Sequence, residues 1–207
     1  MSVTKVSDAM RVTTALDATK LTGNLPAISG ANLTGVGGAW NLIGTQVASS
    51  SASLTQTGLD STYDTYAIML SDMHPETDNA TSALRFGDSG GVDSGGSDYS
   101  SWYQLISSGS YSGSGTATHT AIVVGYQVGN AVGEGFGAVL YLHRPGDGST
   151  QPMVSGTQLS INGSTAQTGG TVMGKRNAVI TLDRIQFLFS TGAIVSGRMS
   201  VYGVAHA

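Results

Sequence analysis

The sequence predicts a mainly β chain, an antiparallel jelly-roll-like β-sandwich preceded by an N-terminal arm and a glycine-rich neck. Three observations predict it. From Trp40 onward, short segments rich in Val, Ile, Tyr and Thr alternate apolar with polar residues, as in Ile185-Gln186-Phe187-Leu188-Phe189 and Met199-Ser200-Val201-Tyr202-Gly203-Val204. Gly, Asn, Asp and Ser punctuate these segments at the spacing of a two-layer antiparallel fold. No segment beyond Trp40 has the length and 3.6-residue period of a long helix.

In chain order, residues 1–20 form the arm. Val6, Met10, Ala15/Leu16 and Leu21 make a loose helical stripe, which Thr13-Thr14 and Thr19 weaken, so a short helix or an extended arm is expected. A helix this short is marginal in water and needs a partner surface. Residues 21–38 form the neck. Leu-Thr-Gly recurs at a spacing of twelve, and single apolar residues at Leu21, Leu25, Ile28, Leu33 and Val36 are separated by Gly, Asn and Pro, which break a helix. One copy of such a segment buries nothing. Three copies wound about an axis stack their apolar residues in layers, as repeats do, and make Leu21, Leu25, Ile28 and Leu33 the expected trimer-axis residues. A flexible linker is the competing reading.

Residues 39–207 form the sandwich. Expected strands are Trp40–Val47, Ala52–Thr57, Tyr63–Leu70, Ser82–Phe86, Tyr99–Ile106, Ala117–Val128, Phe136–His143, Met153–Ile161, Ala178–Leu182, Arg184–Phe189 and Ile194–Val204. The Gly-rich spans Gly87–Asp98 and Ser107–Thr116 read as exposed loops at one end.

Composition narrows the function classes. Of 207 residues 11% are charged, against roughly 25% in an ordinary domain, while Gly, Ser and Thr make up 80. The surface is therefore neutral and polar, yet 40% hydrophobic content in compact segments argues against disorder. A net charge of −4, with no Lys between Lys20 and Lys175, leaves no basic stripe for nucleic acid or an anionic membrane. No apolar run reaches the length of a membrane span or a secretory leader. With no cysteine, disulfide scaffolds, thiolate nucleophiles and Cys-based zinc sites are excluded.

Motifs that carry chemistry are few. Gly87-Asp88-Ser89-Gly90-Gly91 matches the nucleophile segment of chymotrypsin-like proteases, but a nucleophilic Ser needs a His base oriented by a carboxylate, and only His74 precedes it. A low-complexity loop is the expected identity. Asp88, Asp93 and Asp98 are spaced five apart downstream of Asp72, Glu76 and Asp78, and such acids either ligate calcium or cap turns; the spacing is not that of an EF-hand. His74, His119, His143 and His206 include no pair at metal-ligand spacing, and no carboxylate pair for glycoside cleavage stands out. No residue pattern requires a cofactor. Tyr99, Trp102, Tyr103 and Tyr111 gather beside Gly/Ser spans, where aromatic faces stack on sugars while hydroxylic residues bond them; sandwich-core packing is the alternative.

Residues Ala18–Gly35, with Leu21-Thr22-Gly23-Asn24-Leu25-Pro26-Ala27-Ile28, resemble the neck stretches of bacteriophage virion appendage proteins, the tail fibres and head-decoration fibres. Trp40-Asn41-Leu42-Ile43, Leu59–Tyr66 and Gly197–Val204 look like the β domains that follow such necks. The resemblance implies a homotrimer on the virion surface, fixed by residues 1–20 to a major capsid or tail protein, with the β domain outward and no enzymatic role. A capsid decoration or cement protein fits the chain length at least as well as a long fibre. A tail-fibre module recognising host surface carbohydrate is the alternative function.

Overall fold

A computed structural model gives the structure, describing residues 38–107 and 109–205. The arm, and the neck residues Leu21, Leu25, Ile28 and Leu33, lie outside the described residues. Every regular element described is a β-strand, and every pairing is antiparallel.

The strands are β1 (Trp40–Val47), β2 (Leu54–Thr57), β3 (Thr65–Pro75), β4 (Ala80–Asp88), β5 (Gly91–Val92), β6 (Tyr99–Ser107), β7 (Ser110–His119), β8 (Ile122–Val128), β9 (Gly135–His143), β10 (Met153–Ile161), β11 (Gln167–Arg176), β12 (Arg184–Phe189) and β13 (Ile194–Val204). The large sheet runs β1-β13-β3-β9-β10-β11-β6-β7; the small one runs β2-β12-β4-β5, with β8 also on β4. Four antiparallel pairs, β1/β13, β2/β12, β3/β9 and β4/β8, nest inside one another along the chain and alternate between the two sheets. That is the rolled-up double ribbon of a jelly roll.

Two hairpins are added to this eight-strand roll. β10-β11 follows β9 and β6-β7 continues beyond it, widening the large sheet from four strands to eight. The core lies between the sheets, where Tyr66, Ile68, Leu84, Phe86, Leu140 and Phe187 are fully buried. Strand alternation puts these residues inward and their neighbours outward.

Three expectations need correction. Ser107–Thr116 is not a free loop: it belongs mostly to β7, whose ladder with β6 pairs Ile106 with Tyr111 and Trp102 with Gly115. The expected strand Ala117–Val128 is the end of β7 and all of β8, with the chain reversing at 120–121. Ala178–Leu182 is not a strand; Leu182 is a core plug and Ile180 packs beside it, so the apolar spacing marks inward-facing side chains without a ladder. β11 went unpredicted because Gln167–Arg176 carries three glycines, at Gly169, Gly170 and Gly174. Close packing explains two of them. A Cβ on Gly170 would meet the Gln104 backbone, and one on Gly174 would meet the Ile122 side chain.

The outward face of the large sheet is unusually apolar. Direct cross-strand partners line up Leu42, Tyr202, Tyr141, Met173 and Trp102 in one row. Trp40 leans on this row, 5.8 Å from the Tyr202 ring and 6.4 Å from Tyr141. A second row contains Leu159, Ile106 and Tyr111, and Val47 lies on the same face in β1. With Met153, these residues account for ten of the fourteen exposed large hydrophobic residues described.

Candidate functional site

The four aromatic residues singled out in the sequence fall in three environments. Tyr99 starts β6 inward and is fully buried, with its hydroxyl bonded to the Phe86 N–H at 2.8 Å and within reach of the Phe86 and Asp93 carbonyls. Burial pushes that hydroxyl well above the usual tyrosine range. It presents no ring face to a ligand, so its assignment as a sugar contact does not hold. Trp102, Tyr111 and Tyr103 remain accessible, but strand alternation sends the first two to the outward face and Tyr103 to the opposite side. Trp102 lies flat over Gly115, where a Cβ would collide with its indole ring.

Tyr103 instead faces a cleft of about 320 Å³ between the β6-β7 hairpin and β8. Its ring stacks on Tyr126 of β8, with centroids 5.8 Å apart and planes 28° apart. Ser101, Ser114, Thr116 and Thr81 supply hydroxyls around the pair, and His119 also lines the cleft. Tyr126 escaped the sequence reading because it sits in an apolar strand segment, Ile122-Val123-Val124-Gly125-Tyr126, that reads as core. The cleft has an aromatic floor, hydroxylic walls and no carboxylate in its lining. Such a surface binds a neutral polyol by stacking and hydrogen bonds.

The Gly-rich span at Gly87–Asp98 is organised from outside itself. Arg176 at the end of β11 reaches Asp93 at 2.8 Å and Asp98 at 3.2 Å, and also donates to the Asp98 carbonyl at 3.0 Å. Ser89 sits in the turn between β4 and β5, where Asp88 accepts the Gly90 N–H. His74 is bonded to the Ala131 carbonyl. Of the other acids, Asp78 caps the Asn79 N–H and Glu76 accepts the Ala193 N–H. Among the described residues no group of three His, Asp or Glu side chains is placed to hold a metal ion.

One Ser–His contact does occur. His143 Nε2 lies 3.1 Å from Ser155 Oγ on the outward face of β9 and β10. The surrounding backbone N–H groups belong to the ladders β3/β9 and β9/β10, which leaves no pair of donors aimed at an oxyanion there. The pair is a diagonal cross-strand hydrogen bond.

No family model, curated protein or solved structure matches the chain.

Proposed function

We propose that the chain is the subunit of a homotrimeric, non-enzymatic phage virion appendage, a capsid decoration or short fibre protein. Residues 1–20 bind a capsid or tail protein, 21–38 form the three-chain neck, and the jelly roll is displayed on the virion surface. The observation that carries this reading is the junction at Gly38–Trp40. A segment whose Leu and Ile residues are spaced by Gly, Asn and Pro runs directly into the edge strand of a jelly roll. Each Leu or Ile transferred from water to a shared axis contributes roughly 1.5–3 kcal/mol, enough over four positions to favour association.

Light scattering tests the neck. The wild-type chain is expected at three times its 21.0 kDa mass, and Leu25→Asp with Ile28→Asp at one. A variant that stays trimeric removes the neck assignment, and absence of the chain from purified particles removes the virion assignment.

The Tyr103–Tyr126 cleft favours a second reading, in which the β domain recognises host surface carbohydrate. On a glycan array, Tyr103→Ala and Tyr126→Ala then lose signal while Trp102→Ala, on the opposite face, keeps it. No signal from the wild type would leave the module a purely structural one.

A further inference from the structure

We infer that the outward face of the large sheet is an interface between copies of this chain, burying the rows of Leu42, Tyr141, Met173 and Leu159 against a neighbouring β domain. The inference rests on the trimeric reading above and assigns the surface that reading leaves open. Three observations support it.

The first is composition. The eight strands of the sheet carry one carboxylate, Asp72, which lines a hollow with Leu159, and their outward rows hold most of the exposed large hydrophobic residues of the described chain. Apolar patches of more than a few hundred Å² on a chain otherwise covered in Ser, Thr and Gly mark contact surfaces. The second is size. Eight strands about 4.8 Å apart and about eight residues long present roughly 900 Å², close to the ~800 Å² that one partner contributes to a stable specific interface.

The third is where the chain enters. β1 is an edge strand of this sheet and begins at Trp40, directly after the segment 21–38 expected to form the neck. Trp40, Leu42 and Val47 of β1 all face outward on this sheet. The surface also has relief that a second copy fits. Leu159, half exposed, stands directly between Gly137 and Gly169 on the flanking strands. Hollows of about 360 Å³ and 490 Å³ adjoin it, the first lined by Met69 and Val139, the second by Ile106 and Gln167. One face thus carries both a knob and hollows, the two halves of an interlocking contact between copies.

The experiment places photoreactive p-benzoylphenylalanine at Met173 in the full-length chain, with the same residue at Val132, in the turn before β9, as control. Irradiation is expected to give a two-chain adduct from position 173 and none from 132. Adding Leu42→Glu and Leu159→Glu is expected to abolish the adduct while the circular dichroism of the sheet is retained. A three-chain mass with no adduct from position 173 overturns the interface and leaves the trimer standing. An adduct joining position 173 to residues 1–37 of the same chain, in place of one between chains, overturns it too. A one-chain mass for the wild type overturns both readings.

Discussion

The Tyr99 hydroxyl lies 2.8 Å from the Phe86 amide nitrogen and 2.9 Å from the Phe86 carbonyl oxygen, so a side chain of the large sheet completes a backbone position of the small one. The two rings meet edge to face at 6.0 Å. Tyr99→Phe keeps the ring packing and leaves a buried N–H without its acceptor. A loss of about 1–3 kcal/mol is expected, read from the midpoint of urea denaturation with an unchanged slope.

Arg176 anchors the turn beneath this contact. Its side chain is 12% exposed, bonds Asp93 and Asp98, and stacks over the Tyr99 ring at 5.7 Å. Arg176→Met keeps most of the packing and removes the cation shared by Asp93 and Asp98, leaving Asp98 its hydrogen bond from the Gly95 N–H. Hydrogen bonds to charged groups contribute about 1.5–3 kcal/mol, so a loss of that order is expected in the same assay. Faster amide exchange in residues 93–98 is its local signature.

Alkali is expected to weaken the fold through Tyr66 and Tyr99. Burial raises the Tyr66 hydroxyl to about 12, helped by its hydrogen bond to the Asp60 carboxylate at 3.0 Å, and burial raises Tyr99 in the same direction. In the unfolded chain both ionise near 10. Below pH 10 both states hold their protons and stability is flat. As pH rises from about 10 the unfolded chain loses protons that the folded one keeps, so stability falls until the folded tyrosines ionise as well. Thermal melts from pH 8 to 12 should show this decline, and Tyr66→Phe should make it shallower. An equal decline in the variant would remove Tyr66 as its source.

Much of the roll was legible in the sequence: β12 and β13 bury one face and so alternate, while β1 and β10 are short runs with Val, Ile, Leu and Thr bounded by Gly, Pro, Ser or Asn. The expected bounds of those four strands match the observed ones. β7 was illegible because it is an edge strand of Ser, Gly and Thr exposed on nearly every residue, held by its ladder to β6 and by no burial of its own. β11 was illegible because glycine propensity points away from a strand, whereas here close packing against neighbouring residues requires it. The cleft was half legible. Tyr103 stood out beside the Gly/Ser span, but nothing local marks Tyr126 as its partner, since β6 and β8 meet only through the tertiary fold.

Gly170 tests the packing account of β11. An added methyl would fall on the Gln104 carbonyl oxygen and within 2.8 Å of its carbon, backbone that cannot rotate aside. Gly170→Ala removes chain entropy from the unfolded state, which alone would stabilise by about 0.4–1 kcal/mol. Overpacking costs about 1–3 kcal/mol, so net destabilisation is expected, with amide protection lost along β11 and β6 first. A neutral or stabilised variant would show that the ladder yields without cost.

Gln158 on the inward face of β10 has both amide atoms buried without a hydrogen-bond partner among the described residues. Its cross-strand neighbours are Ala138 and Gly170, which offer no side-chain donor or acceptor. An unpaired buried amide costs about 1–3 kcal/mol relative to water, whereas an unbranched apolar chain of similar length loses nothing by burial there. Gln158→Met should therefore stabilise the fold by roughly 1 kcal/mol once imperfect packing is allowed for, read as a raised denaturation midpoint. A destabilised variant would mean that the amide finds partners in solution, and that the space between β10 and the small sheet is polar.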